Sequence, residues 1–292
     1  MPSRVLKSDE KRTSSGSLLD EVTTEPSRMD ISISVVSHLQ IALVCELLDG
    51  LEKYCRDSRF ELILTLNLDE PLPFITESFS YPITLFRNSV PMGFGANQNQ
   101  AFRHASGRYF CVVNPDIRLN GNPFPALLAC MDHFSAGVIA PVVMNEFGAV
   151  EDSARRFPTP FTILHKFFGK GWAPDYQIDK SLIRPDWVAG MFMLFPRETF
   201  ERLGGFDVRY FLYYEDVDIC ARLRLAGFEV VLCPQARVVH HAQRHSHRHS
   251  SYLKWHLKSM LRFFLSPGYW RIQLGFPVEP VRPRPADNET IH

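Results

Sequence analysis

The chain has 292 residues, 45% of them hydrophobic, with 32 Lys and Arg against 32 Asp and Glu. That apolar content suffices for a substantial core, and the even charge balance excludes the basic footprint that nucleic-acid binding requires. Its longest apolar runs, such as WVAGMFMLF, fall well short of the roughly 20 residues of a membrane-spanning helix, and six scattered cysteines without a CxxC pair read as reduced core residues of a cytoplasmic protein.

In chain order, residues 1–30 are polar, aperiodic and without the apolar centre of a secretory signal, so a flexible tail is expected there. ISISVVS (Ile31 to Ser37) predicts a buried strand, a helical pattern follows from Leu39 to about Cys55, and FELILTL (Phe60 to Leu66) predicts a second strand. Next come a short strand at Ile83 to Phe86, the turn MGFG, a helix around Ala96 to His104 and a strand at Tyr109 to Asn114. This alternation is that of an α/β fold. Strands are predicted again at Trp187 to Phe195 and Phe228 to Cys233, separated by a helix from about Asp216 to Ala226 that Gly227 can end in the left-handed conformation.

A single domain over residues 31–250 accounts for these elements, followed by a helical segment over 251–276 and a Pro-rich, disordered tail over 277–292. In the helical segment Leu253, Leu257, Met260, Leu261 and Phe264 share one face, and Lys254, Lys258 and Arg262 recur on another. Such a helix packs on its domain or lies on an anionic membrane, and the pattern serves both equally.

Ligands of open α/β sheets collect beyond the carboxyl ends of the strands. Four polar clusters follow predicted strands in that way: Ser37-His38, Asn67 with Asp69, Asn114-Pro115-Asp116, and the Val238 to His241 end. Asp116 of NPD fits an ordinary Asx-Pro turn or an oxygen ligand for a hard divalent cation. Gly93 and Gly95, with Asn97 and Asn99 near the next helix start, fit a tight turn with an Asn cap or a close backbone approach to an anion.

The stretch YFLYYEDVDICARLRLAGF sets three acids, Glu215, Asp216 and Asp218, in four positions behind a run of aromatics. Acids in a first helical turn each gain about 0.3–1 kcal/mol from the helix dipole, but adjacent like charges erode that gain, so capping does not explain three. A general base does, since neighbouring acids raise its pKa and the aromatic wall from Tyr210 to Tyr214 limits water. Ile219, Cys220, Leu223 and Ala226 then form the buried face, with Arg222 and Arg224 toward solvent. The run HHAQRHSHRHSS matches no zinc-site spacing and reads as a mobile polar loop. His240 is the exception, because it ends the apolar run ARVVH and can complete a cation site begun by Asp116.

Taken together, GFGANQNQAF, VVNPD and WVAGMFMLFPRETFERLGGFDVRYFLYYEDVDICARLRLAGFEVVLCPQARVVHH resemble a family 2 glycosyltransferase of the GT-A fold, of the bacterial rhamnosyltransferase-like branch. The resemblance spans roughly Ile31 to Phe264 and implies a mostly parallel central sheet flanked by helices. It implies an inverting transfer of a sugar, such as rhamnose from dTDP-rhamnose, from a nucleotide-diphosphate donor to a glycan or lipid-linked acceptor in bacterial surface polysaccharide synthesis. The expected location is cytoplasmic, with peripheral contact to the inner face of the plasma membrane.

By the same resemblance, Asp116 holds Mg2+ or Mn2+ with His240, and Asp216 is the catalytic base with Glu215 in reserve. Ser37, His38, Asn67, Gly93, Gly95, Asn97, Asn114 and Asp116 lie on the donor side; Trp187, Gly190, Met191 and Asp218 lie on the acceptor side. Two departures stand out: Asn67 occupies the place where relatives often carry a base-reading acid, and Asn114 replaces the first acid of the commoner DxD motif. They give weight to a second reading, a sugar-nucleotide-binding subunit of a polysaccharide assembly complex without turnover. A third makes the His-rich loop a metal-handling device.

Overall fold

Strand β1 (Ile31–Ser37) is buried along nearly its whole length, because helices cover both faces of the sheet to which it belongs. The computed structural model describes residues 29–134, 136–168, 174–178, 182–241 and 250–275. After β1 come α1 (Ile41–Tyr54), β2 (Phe60–Leu66), β3 (Ile83–Arg87), α2 (Phe94–Phe102), β4 (Tyr109–Val113) and β5 (Ile117–Arg118). Then follow α3 (Phe124–His133), β6 (Ala136–Asn145), β7 (Ala154–Arg155), α4 (Pro160–Phe168), β8 (Trp187–Val188) and β9 (Phe192–Pro196). The chain continues through α5 (Arg197–Arg202), α6 (Glu215–Leu225), β10 (Glu229–His240), α7 (Ser250–Phe264) and α8 (Pro267–Gln273).

Eight strands form one sheet in the order β3-β2-β1-β4-β9-β6-β10-β5, and β7 pairs with β8 in a small second sheet. Strands β3, β2, β1 and β4 are parallel, β9 is antiparallel to β4 and β6, and β6 is parallel to β10. One core layer lies where α1 and α3 cover the sheet, with Leu47, Leu48, Phe124 and Leu127. The other gathers Phe110, Phe195, Phe200, Phe206 and the apolar side of α6.

The predicted strand over Trp187 to Phe195 is two strands, β8 and β9, broken by the turn Ala189 to Met191. The helix predicted from Leu39 starts at Ile41, since Leu39 has a φ of 60° and cannot join a right-handed helix. Its N-terminus is served from a distance: Glu70 Oε2 accepts from Ile41 N at 3.1 Å. Gly227 ends α6 at a φ of 86°, as its position predicts. Arg222 does not reach into solvent; it pairs with Asp218 and donates to Leu203 O and Gly205 O, tying α6 to the turn after α5. All six cysteines are free, four of them buried, and Cys130 and Cys233 lie side by side with Sγ atoms 2.8 Å apart.

Helix α7 packs on the domain through Trp255, Ser259 and Phe263, rather than through the leucines of its predicted apolar face. Of that face Met260 and Phe264 reach the core, while Leu253, Leu257 and Leu261 remain exposed. Arg262 is drawn over the Tyr210 ring. Of the predicted tails, 1–28 of residues 1–30 and all of 277–292 lie outside the described residues, as do His245 to His249. No helix among the described residues is long and apolar enough to cross a membrane.

Candidate active site

The carboxyl ends of β1, β2, β4, β6 and β10 share one edge of the sheet with the start of antiparallel β9, as the pairs Ser37 with Leu66, Val113 with Phe192, and His240 with Asn145 show. All four clusters named from the sequence therefore reach the same edge.

At its centre, β4 runs into Asn114-Pro115-Asp116. The imidazole of His240, at the end of β10, lies between two carboxylates: Nε2 is 3.1 Å from Asp116 Oδ2 and Nδ1 is 2.8 Å from Glu151 Oε2. Burial works to lower the His240 pKa, but the hydrogen bonds and charges of Asp116 and Glu151 outweigh it and raise the pKa to about 9. The second Asp116 oxygen, Oδ1, is buried and has no hydrogen-bond partner among the described residues. An orphaned carboxylate oxygen beside an imidazole nitrogen fits a divalent cation. No cluster of three or more His, Cys, Asp or Glu ligands exists among the described residues, where Asp116 and His240 are the candidate pair.

The three acids of the EDVD stretch have three separate environments. Asp216 accepts from Gly190 N at 3.0 Å and Val217 N at 2.8 Å. Burial raises its carboxyl pKa above the usual aspartate value, and those two N–H groups and the Arg155 guanidinium offset that rise only in part. Glu215 is 6% exposed, and its Oε2 has no hydrogen-bond partner among the described residues. Burial first, then the neighbouring Asp216 charge, holds it well above the usual glutamate value. Both carboxyls are thus raised by burial, Glu215 further than Asp216, because hydrogen bonds from two N–H groups and the Arg155 charge favour the charged form of Asp216, while the Asp216 charge adds to the burial of Glu215. Asp218 is the structural member, paired with Arg222 at 2.7 Å. It lies on the opposite side of α6 from Asp216, since two residues turn a helix by more than half a circle, and this removes the reason for assigning it to the acceptor.

These environments predict a pH effect on stability. Because the folded-state pKa of Glu215 is raised, the native protein binds an extra proton between the ordinary value of 4.5 and the raised one, and stability falls as pH rises through that window. Glu215→Gln is expected to raise Tm relative to the parent, by an amount that grows as pH increases from 4.5. Thermal unfolding over a pH series checks this, and a constant difference contradicts it.

The turn Ala189 to Met191 stands between the two acid sites. Gly190 N holds Asp216, Met191 O accepts from Asn114 N at 2.9 Å, and Ala189 N donates to Ser153 O at 2.8 Å. The segment Glu151 to Arg155 therefore reaches both, with Glu151 on His240 and Arg155 near Asp216. Trp187 is tied into the same wall: its Nε1 donates to Arg156 O, and the Arg155 guanidinium lies 5.4 Å from its ring centroid. Trp187 is thereby buried and supports this wall from within.

Tyr213 and Tyr214, just ahead of α6, both have left-handed backbones, with φ of 68° and 65°. Each such residue costs about 1–3 kcal/mol. His256 of α7 meets both rings, and Phe263 meets Tyr214, so α7 holds the strained pair that aims Glu215 and Asp216.

On the donor side most expected residues act through one another. Asn67 is saturated: Nδ2 faces Met92 O and His38 Nδ1, and Oδ1 accepts from Met92 N and Asn88 Nδ2. Asn97 is 1% exposed; it donates to Met92 O and Gly93 O and accepts from Asn88. Gly93 and Gly95 make a close backbone approach, but to the chain itself: a Cβ on Gly93 would fall 2.6 Å from Phe211 O, and one on Gly95 2.7 Å from Phe206 Cβ. These residues are engaged with one another and with the neighbouring backbone. Ser37 is buried and occupied by Glu70 and Gln40 N, Asp69 pairs with Arg87, and His38 is left as the exposed polar side chain after β1. Sequence reasoning missed Glu70, Asn88, Glu151 and Arg155, whose partners lie 9 to 89 positions away.

A profile of the family described as "Glycosyltransferase like family 2" matches residues 76–264. The chain is 34% identical over 176 residues to the N-acetylglucosaminyl-diphospho-decaprenol L-rhamnosyltransferase of Mycobacterium tuberculosis, which covers 56% of this chain and 57% of that protein. It is 29% identical over 248 residues to Rhamnosyltransferase WbbL of Escherichia coli K12, covering 80% and 92%. Among solved structures, GalNAc-T7 with UDP, GalNAc and Mn2+ superposes with a TM-score of 0.62 at 16% identity, over 88% of this chain and 53% of that one. The mannosyltransferase PcManGT from Pyrobaculum calidifontis, with GDP-Man and Mn2+, gives 0.53 at 18%, over 86% and 69%. The fold is that of GT-A enzymes, and the chain belongs to glycosyltransferase-like family 2, on its bacterial rhamnosyltransferase-like side.

Proposed function

We propose that the protein is an inverting glycosyltransferase that moves a sugar, rhamnose from dTDP-rhamnose in the leading case, to a glycan or lipid-linked acceptor in bacterial surface polysaccharide synthesis. The observation that carries this is the pairing across the Ala189 to Met191 turn of an orphaned buried oxygen, Asp116 Oδ1, with the Asp216 carboxyl, which accepts from Gly190 N and Val217 N.

Asp116 and His240 would hold Mg2+ or Mn2+, leaving further positions of the ion's shell to the donor's phosphate oxygens and water. When bound, the cation supplies charge stabilisation for the departing nucleoside diphosphate. Asp216 takes the proton from the acceptor hydroxyl as its oxygen attacks the anomeric carbon; that bond forms as the bond to the diphosphate breaks, which inverts the configuration. Gly190 N and Val217 N fix the carboxylate.

Glu151 is a positioning residue in this scheme. Its acceptance of the Nδ1 proton turns Nε2 of His240 toward Asp116, the outer-partner arrangement usual for ligating histidines. Glu151→Gln is expected to weaken Mn2+ binding by about 10- to 100-fold, read by titration of the protein with Mn2+ and nucleoside diphosphate; unchanged affinity removes Glu151 from that role.

The function itself is tested with a panel of nucleotide-diphosphate sugars, with and without Mg2+ or Mn2+, scored for transfer or slow donor hydrolysis. Metal-dependent turnover of one donor is expected. Tight binding of a donor without any turnover would favour the sugar-nucleotide-binding subunit instead.

A further inference from the structure

Between Ser250 and Gly275 the chain carries Lys254, Lys258, Arg262 and Arg271 and no acid, although the whole sequence balances its charges. On the same two helices Leu253, Leu257, Leu261, Leu265, Trp270 and Leu274 are each between 49% and 70% exposed. Leu253, Leu257 and Leu261 recur every fourth residue and form one stripe along α7, with Leu265 just past its end, and after the break at Ser266 the exposed Trp270 of α8 and Leu274 at its C-cap are again four residues apart. This stripe is separate from the packing face, because Trp255, Ser259 and Phe263 point into the domain, where Ser259 Oγ donates to Leu212 O. Lys254, Lys258 and Arg271 are exposed beside it.

We propose that this face of α7 and α8 docks on an anionic lipid bilayer, the leucines and Trp270 entering the headgroup boundary and the cations meeting lipid phosphates. The occupant follows from charge and shape together. A continuous apolar stripe bordered by cations and free of acids is the form of an interfacial helix, and an anionic leaflet attracts each cation close to its surface. The face is rigidly placed: Phe263 stacks on Tyr269 and Tyr214, so α7 and α8 are fixed to each other and to the start of α6. Tyr213 and Tyr214 lie against the domain-facing side of α7 through His256 and Phe263, so a docked bilayer would rest one helix away from the start of α6 and would bring the proposed acceptor site near the membrane. That last consequence rests on the function proposed above, whereas the docking does not.

The test uses the full chain and vesicles of phosphatidylcholine containing about a third phosphatidylglycerol, compared with phosphatidylcholine alone, by co-sedimentation. Binding to the anionic vesicles is expected, with a loss of about tenfold or more for Leu257→Gln with Leu261→Gln, and a comparable loss for Lys254→Gln with Lys258→Gln. These side chains are exposed, so thermal unfolding should not move, which separates lost docking from lost folding. Failure of the parent to bind, or binding unaffected by either double variant, overturns the proposal. So does a concentration-dependent dimer that forms without lipid and is abolished by the leucine variant, which would seat a second copy on this face. Because the assay needs no turnover, a failed transfer reaction with intact vesicle binding counts against the catalytic reading alone.

Discussion

Asp216→Asn is expected to lower transfer by about 10²- to 10⁴-fold, the contribution of a positioned general base, while donor affinity measured by calorimetry with metal stays within a few-fold of the parent. The substitution keeps size and shape, and an amide oxygen can still accept from Gly190 N, so the Ala189 to Met191 turn should hold. What it removes is proton affinity. Burial raises both carboxyls, but two backbone N–H groups and Arg155 favour the charged form of Asp216, whereas Glu215 lies in a drier position with an oxygen that has no hydrogen-bond partner among the described residues. Retained turnover would take Asp216 out of the role of base and leave Glu215 as the remaining candidate.

Asp116→Asn has the second large effect. It should abolish the metal-dependent part of donor binding, a loss greater than the roughly 10- to 100-fold that follows from removing an outer partner such as Glu151. Asp216→Asn and Asp116→Asn thus separate chemistry from donor capture: the first leaves the metal-dependent calorimetric signal, and the second removes it. A pH series adds the sign. His240 Nε2 would have to give up its proton to a cation, and that proton is held with a pKa of about 9. Mn2+ affinity is therefore expected to rise with pH up to about that value. Affinity independent of pH would mean that His240 is not a ligand.

Much of this was legible because the sequence carries local signals. Buried strands β1 and β2 announce themselves by apolar runs of strand length, and α6 by its apolar spacing and by Gly227 at its end. The division of labour among Glu215, Asp216 and Asp218 was not legible, because the tertiary fold decides it: Gly190 N reaches Asp216 from another element, burial isolates Glu215, and contacts to Leu203 O and Gly205 O turn Arg222 away from solvent and onto Asp218. Asn67 shows the same limit. Its place after β2 suggested a base-reading group, yet four hydrogen-bonding contacts to Met92, Asn88 and His38 make it a clamp on the donor loop. Strand β6 was missed because AGVIAPVVMN is buried almost throughout, so it lacks alternation and contains a proline.

The leucine stripe of α7 illustrates a different failure. Its period was read correctly, but the helix carries two apolar faces, and sequence spacing does not say which one the domain takes. The aromatic side chains took it: Trp255 against Phe211, and Phe263 against Tyr214.

The most direct measurement is a crystal structure of the protein with a nucleoside diphosphate and Mn2+. It should show the ion in contact with Asp116 Oδ1 and His240 Nε2, with the terminal phosphate facing the same cavity as the Asp216 carboxylate. An ion bound elsewhere, or a diphosphate seated where Asp216 cannot face it, would contradict the account.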